Sequence, residues 1–230
     1  MGSPDLFLLG GNIAVFELMA DEFLAAAGGA EANLAILLIG GEGWEKRKPE
    51  YADHWLRRGV TRLQFIVPNE EGVLDTEAAS ALIRQATGII VGGGNTREYQ
   101  RLYATEPLRS VIRAQVEGGA AYAGLSAGAL LAPEACMLRP YAEGATEPAF
   151  VPGLGLLTGL AIGVHFSLED RLDLMRQAML HTGTSSGLAI EEDACVMLRD
   201  GQPVRVFGQS AYRAMCDDAS TGSCALALLV

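Results

Sequence analysis

Short apolar runs in this chain end on glycine: residues 32–39 stop at Gly40-Gly41, residues 88–91 at Gly92-Gly93-Gly94, and residues 120–123 at Gly124. A continuous apolar run of that length reads as a strand buried on both faces. A fourth run, residues 63–67, stops at Pro68. The segments between these runs carry helical phasing. Pro49 opens residues 49–58, with Tyr51, Trp55 and Leu56 at helical spacing and Gly59 at the end. Residues 75–86 have an acidic first turn and set Leu74, Ala78, Leu82 and Ile83 on one stripe. Asn95 caps a helix carrying Tyr99 and Leu102, and Pro107 opens another with Leu108, Val111, Ile112 and Gln115 in phase. Ser126 begins a helix of small residues. This alternation predicts an α/β fold, a doubly wound and mostly parallel sheet with helices on both faces.

The remainder of the chain adds to that frame. Residues 6–9 and 13–27 read as a strand and a helix that extend the sheet. Residues 133–155 lack periodicity and are rich in Pro, Gly and Glu, which predicts loops near a site. Residues 167–180 read as a helix with Ser167 as N-cap and Leu168, Leu172, Met175 and Met179 on one face. Residues 188–190, 195–198 and 204–206 read as late strands, the last two antiparallel about a turn at Asp200-Gly201. No stretch resembles a linker, so residues 1–230 are expected to form a single domain.

The net charge of −11 repels phosphate backbones and anionic lipid, so neither nucleic acid nor a membrane is an expected partner. The apolar stretch 34–39 is too short to span a bilayer, and no Lys or Arg precedes Leu6 as the basic region of a signal peptide would require. A cytoplasmic location is expected. The four cysteines, Cys136, Cys195, Cys216 and Cys224, lack Cys-x-x-Cys spacing and read as small buried hydrophobes, with a Cys216–Cys224 bridge left open. The apolar helix stripes serve a core and also leave a homodimer open.

The chemistry centres on Gly124-Leu125-Ser126-Ala127-Gly128, which follows an apolar strand and precedes a helix. A serine at such a sharp turn needs neighbours nearly bare of side chain, and it presents its hydroxyl at the carboxyl end of the sheet. The competing reading is a plain glycine-rich turn with a capping serine. A serine nucleophile needs a base, and the chain has 3 histidines. His54 lies mid-helix, and His181 follows a helix as a C-terminal cap. His165 sits after a short apolar stretch, at an end-of-strand loop position, and is the preferred base. Glu191-Glu192-Asp193 ends another short apolar run. Side chains alternate along a strand, so one of Glu191 and Glu192 faces the histidine while the other turns away. Ala127 and the triplet Gly92-Gly93-Gly94 can bring backbone N–H groups close to a developing oxyanion. No dinucleotide, phosphate-loop or metal-ligand motif occurs, so no cofactor and no metal is expected.

Together these segments resemble the serine peptidase family that contains cyanophycinase and dipeptidase E (aspartyl dipeptidase). The resemblance runs over residues 34–206 and rests on Gly92-Gly93-Gly94-Asn95, on Ala123-Gly124-Leu125-Ser126-Ala127-Gly128, on His165-Phe166-Ser167 with Arg171-Leu172, and on residues 187–194. It implies a flavodoxin-like sheet related to class I glutamine amidotransferases and a Ser-His-Glu triad. Ser126 would be the nucleophile, His165 the base, Glu192 the orienting acid, and Gly93, Gly94 and Ala127 the oxyanion hole. Asn95 and Thr96 would flank a small peptide or isopeptide, and Arg171 would either clamp a substrate carboxylate or pair at the surface. Two positions depart from the family pattern. Gly163-Val164 stands where a polar pair precedes the histidine, and Thr96 stands where glutamine follows the glycine turn. An amidase or esterase on the same triad, and a silent binding module of the same fold, are the alternatives.

Overall fold

The computed structural model describes residues 4–139, 148–166, 172–218 and 223–229. In chain order the first half runs β1 (Leu6–Leu9), α1 (Val15–Ala26), β2 (Asn33–Leu37), α2 (Lys48–Leu56), β3 (Arg62–Ile66), α3 (Thr76–Ile83), β4 (Gly88–Val91), α4 (Thr96–Tyr103), α5 (Leu108–Glu117) and β5 (Ala121–Leu125). The second half runs α6 (Ala127–Leu131), β6 (Ala135–Leu138), β7 (Ala149–Pro152), β8 (Ala161–Gly163), α7 (Leu172–Thr182), β9 (Ser186–Ile190), β10 (Ala194–Arg199), β11 (Gln202–Gly208), β12 (Ala211–Asp218) and β13 (Ser223–Leu229). The main sheet has seven strands in the order β11-β10-β1-β5-β4-β2-β3. Its β1, β5, β4, β2 and β3 run parallel, while β10 and β11 are antiparallel additions.

The apolar runs are continuous because both faces of this sheet are covered. Along β1, Leu6 and Leu8 join one core while Phe7 and Leu9 join the other. The same alternation divides Ile89 and Val91 from Ile90, and Tyr122 from Ala121 and Ala123. Helices α3, α4, α5 and α6 supply the first core through residues such as Ile83, Tyr103, Ile112 and Leu130. Helices α1 and α2 supply the second, where Phe16, Phe23 and Trp55 are fully buried and their rings pack within 5.6 Å of one another in the pairs Phe16–Trp55 and Phe23–Trp55. Truncating a buried aromatic of this kind to alanine typically costs about 3–5 kcal/mol. Outside the core, Glu17 joins α1 to α2 by accepting from Arg57 and Arg58 and meeting His54, and these partners hold its carboxyl down at about 2. His54 thus packs at the edge of a core and pairs at the surface.

Several expectations change in the structure. Strand β1 joins the main sheet as expected, and it lies inside it, between β10 and β5. Residues 133–155, expected as loops, contain β6 and β7, which pair antiparallel from Ala135↔Pro152 to Leu138↔Ala149. The short alternation of Cys136 and Leu138 into the core supports them, and it is too brief to stand out as a period. The run 188–190 belongs to β9 of a second sheet, ordered β13-β12-β9-β8, rather than to the main sheet. A tight turn separates the two, with Ala194 N–H donating to the Glu191 carbonyl at 3.2 Å, so the chain reverses from β9 into β10 of the main sheet. Helix α7 covers the second sheet with Met175, Ala178 and Met179. It begins at Leu172 among the described residues, and the expected cap Ser167 and stripe residue Leu168 lie outside them.

Cys216 and Cys224 face each other across β12 and β13 and form a disulfide. Cys136 and Cys195 are free and buried, and burial pushes the Cys136 thiol up to about 12 and raises that of Cys195 as well. Thiolate is the reactive form. The native protein should therefore resist iodoacetamide at both thiols near neutral pH, and both should react once the chain is denatured, as read by intact mass. No helix among the described residues is long and apolar enough to cross a membrane.

Candidate active site

The carboxyl ends of β5, β8, β9 and β1 converge on Ser126, His165 and Glu192. Ser126 follows β5 directly and precedes α6, with φ 51° and ψ −100°. That conformation is strained for a residue with a side chain, and strain of this kind persists only where the surroundings impose it. Here they do. The Ser126 N–H donates to the Leu9 carbonyl at 3.0 Å, and Tyr122 donates from its hydroxyl to the Gly128 carbonyl at 2.7 Å. The flanking glycines are required sterically: a Cβ on Gly124 would lie 2.4 Å from the Gly128 carbonyl carbon, and one on Gly128 would lie 2.3 Å from the Val91 carbonyl oxygen.

His165 and Glu192 are brought together by strand pairing. Strands β8 and β9 run parallel with Gly163 opposite Ala189. Neighbouring strands lie about 4.8 Å apart, so residues just beyond the two carboxyl ends come within reach of each other. Ser126 Oγ lies 2.7 Å from His165 Nε2, and the opposite ring nitrogen, Nδ1, meets Glu192 Oε2. In the tautomer this line favours, Nδ1–H donates to the carboxylate and the Nε2 lone pair accepts the serine hydroxyl. His165 also has φ 51°, and among the described residues the non-glycine positions with positive φ are Ser126, His165 and Asp200.

The three acids at residues 191–193 have separate partners. Glu192 meets His165, Glu191 accepts from the Tyr212 hydroxyl at 3.1 Å, and Asp193 accepts from Asn12 Nδ2 at 2.6 Å. Of the two acids that alternation left open, Glu192 is the one whose side chain reaches His165. His181, expected just after the helix as a cap, lies within the last turn of α7 and stacks on Phe150, with ring centroids 3.8 Å apart.

One requirement of the site was not recognised in the sequence. Gly10-Gly11 ends β1, and a Cβ on Gly11 would sit 2.3 Å from His165 Cε1 and 2.5 Å from Glu192 Oε1. The Gly11 and Asn12 N–H groups both donate to the Glu192 carbonyl, at 3.0 and 2.9 Å, and fix the backbone that carries the acid. The signal was present, since residues 6–9 are another apolar run ending on paired glycines. Gly11→Ala should displace the imidazole and lower turnover by about a hundredfold, because misplacement of about 1 Å costs that much. The check is kcat/KM beside a thermal melt, and a variant with full activity would show that the contact is not needed.

Ser126 and His165 open onto a cavity of about 330 Å³ that Gly94, Asn95 and Thr96 also line. Gly94 has φ 147° and brings bare backbone to the cavity wall. Gly93 packs against Ser126, with its N–H facing the Tyr51 hydroxyl at 3.4 Å. Ala127 is the first residue of α6, so its N–H lacks a partner from within the helix. The Asn95 carboxamide oxygen accepts from the Arg97 and Glu98 N–H groups at 3.0 and 3.4 Å, which commits that atom to capping α4. Arg171 lies outside the described residues. Among the described residues no group of three or more His, Cys, Asp or Glu side chains converges as a metal site would.

Fold and site define an α/β protein with a Ser–His–acid array set at a strand-to-helix turn. Within that class the chain belongs to peptidase family S51, whose model matches residues 59–206. It is 27% identical over 197 residues to a cyanophycinase of Synechococcus elongatus, an alignment covering 82% of this chain and 60% of that protein. It is 24% identical over 203 residues to a cyanophycinase of Nostoc, covering 82% and 65%. The chain thus spans less than two thirds of the length of these curated relatives. Among solved structures, a peptidase from an acI-B1 actinobacterium superposes with a TM-score of 0.67 at 20% identity, over 100% of this chain and 95% of that one. A putative peptidase E of Listeria monocytogenes superposes with a TM-score of 0.58 at 14% identity, over 90% and 99%. These two likenesses establish the shared fold.

Proposed function

We propose that the protein is a serine peptidase that cleaves small peptides or isopeptides through an acyl-enzyme. The observation that carries this reading is the unbroken line from Ser126 Oγ through His165 to Glu192, opening on a cavity. Ser126 Oγ attacks the scissile carbonyl and its proton passes to His165 Nε2. Glu192 stabilises the imidazolium that forms. The N–H groups of Ala127 and Gly94 receive the charge on the carbonyl oxygen, whereas the Gly93 N–H, expected to join them, donates to the Tyr51 hydroxyl. Collapse of the tetrahedral intermediate breaks the C–N bond, and the leaving amine takes the proton from His165. Water then adds to the acyl ester, giving its proton to the same nitrogen, and the ester bond breaks to return Ser126 and a free carboxylic acid.

Membership of family S51 and similarity to cyanophycinases support a peptide or isopeptide over a simple ester. Asn95 and Thr96 serve in this reading as walls of the substrate cavity. The reading places the enzyme in the cytoplasm, and the Cys216–Cys224 disulfide is the feature that weighs against a reducing compartment. The test is a panel of α-linked and β-aspartyl dipeptides assayed beside p-nitrophenyl esters and aminoacyl amides. Cleavage of at least one peptide class, lost in Ser126→Ala, is expected. Ester hydrolysis without any peptide cleavage would overturn the peptidase reading and favour an esterase.

A further inference from the structure

Two buried tyrosines grip the glycine turn that follows β4. The first residue of that turn is held by backbone alone: the Gly92 N–H donates to the Leu37 carbonyl at 3.1 Å, and the Gly92 carbonyl accepts from the Gly128 N–H at 3.2 Å. The next residue is held by side chains. The Tyr51 hydroxyl, from α2, accepts from the Gly93 N–H, and the Tyr99 hydroxyl, from α4, donates to the Gly93 carbonyl, each at 3.4 Å. Both rings are almost fully enclosed. Their hydroxyls stand so close to the turn that a Cβ on Gly92 would lie 2.5 Å from the Tyr99 oxygen and 3.1 Å from the Tyr51 oxygen. Burial pushes both hydroxyls above the ordinary tyrosine range, so each keeps its proton near neutral pH.

The consequence reaches Gly94. A peptide is planar and trans, so the Gly93 carbonyl and the Gly94 N–H point in opposite directions. With the carbonyl drawn inward to Tyr99, the N–H leaves the other edge of the same plane. Gly94 is exposed and lines the cavity with Ser126 and His165. Among the described residues its N–H meets no acceptor. A Gly-Gly peptide has little of its own to stop that plane from turning over, because neither residue carries a Cβ that restricts φ. Turned over, it would present a carbonyl oxygen where the oxyanion forms, and like partial charges would meet. The restraint that side chains on residues 93 and 94 would normally give is supplied here by the two hydroxyls.

We infer that Tyr99, supported by Tyr51, is a positioning residue that sets the Gly93–Gly94 peptide so that the Gly94 N–H faces the oxyanion formed at Ser126. The inference rests on the peptidase reading for the chemistry, and it adds two residues that touch neither substrate nor the reacting atoms. Tyr103 offers a matched comparison. It is equally buried, lies one turn further along α4, and places its hydroxyl 2.7 and 2.8 Å from the Leu38 and Ile66 carbonyls, neither of which belongs to the turn.

The test is the rate at which a fluorophosphonate modifies Ser126 in the full chain. The serine oxygen displaces fluoride from phosphorus, its proton passes to His165, and the phosphoryl oxygen takes the place of the carbonyl oxygen. Tyr99→Phe keeps the ring and removes only the hydroxyl. It should slow the reaction about tenfold, a part of the roughly hundredfold or greater loss that removing an oxyanion donor costs. Tyr51→Phe should slow it about threefold, because the carbonyl anchor remains. Tyr103→Phe should lower the melting temperature at least as much as Tyr99→Phe and react at the parental rate. The phosphorus NMR resonance of the adduct gives a second readout. In the folded parent it should stand apart from that of the denatured adduct, and Tyr99→Phe should move it part of the way back while Tyr103→Phe leaves it in place.

An unchanged rate or an unmoved resonance in Tyr99→Phe, or an equal slowing in Tyr103→Phe, would overturn the inference and leave Ser126 standing as the nucleophile. Should Tyr99→Phe fail to fold, Tyr51→Phe decides by the same two readouts. No adduct in the parent protein would remove the nucleophile, and this inference with it.

Discussion

Ser126→Ala should lower peptide turnover by about a thousandfold or more while leaving the melting temperature within a few degrees of the parent. The size follows from the position of the hydroxyl. Its oxygen is the atom 2.7 Å from His165 Nε2, and nothing else on α6 can take its place. The limited effect on stability follows from the same geometry. The strained turn is imposed by the backbone bond to Leu9, the Tyr122 bond to Gly128 and the two flanking glycines, none of which uses the serine side chain. Alanine occupies less volume at the same φ. Product formation by chromatography, beside a thermal melt, separates loss of chemistry from loss of fold. Turnover within tenfold of the parent would remove Ser126 from the reaction.

Glu192→Gln should lower kcat by about a hundred- to a thousandfold, and Glu191→Gln by less than about fivefold. A carboxylate at Nδ1 keeps the proton on that nitrogen and leaves Nε2 able to accept one. A carboxamide can present its N–H₂ to Nδ1 and draw the ring into the opposite tautomer, with Nε2 protonated against the serine. Glu192 is half exposed, with 54% of its side chain accessible, so water tempers the loss below that of a fully enclosed triad. Glu191 instead accepts from the Tyr212 hydroxyl and is not among the residues that line the cavity. Steady-state kinetics on one peptide substrate decide the pair, and equal losses in the two variants would show that the turn, not the carboxylate, is what matters.

The parts of this site that were legible in the sequence are those whose demand is local. Ser126 announces itself because a sharp strand-to-helix turn requires glycine two residues to either side of it, at Gly124 and Gly128. His165 follows from its place after a strand and from the scarcity of histidine. The choice of Glu192 over Glu191 needed the resemblance or the structure, since alternation says only that the two diverge. Gly11 was missed because its neighbours, His165 and Glu192, are remote in sequence and meet it only when β1 lies between β10 and β5 in the folded sheet. The fold divides in the same way. Strands buried on both faces, such as β2 and β4, are visible as unbroken apolar runs. Strand β12 mixes Arg213 with Ala214 and Met215 and shows no such run, although it pairs with β9 from Ala211 to Met215 and with β13 along most of its length. The placement of β8 and β9 in a separate sheet follows from the reversal after Glu191, which no periodicity records.

The central claim is that the line of three side chains makes Ser126 a nucleophile. Its most direct test is reaction of the intact protein with a fluorophosphonate, followed by peptide mapping of the adduct. The account predicts one modified residue, Ser126, with labelling abolished in His165→Ala and sharply slowed in Glu192→Gln. Peptide cleavage that persists in protein carrying no adduct at Ser126, or an adduct at Ser126 that forms as fast without His165, would contradict it.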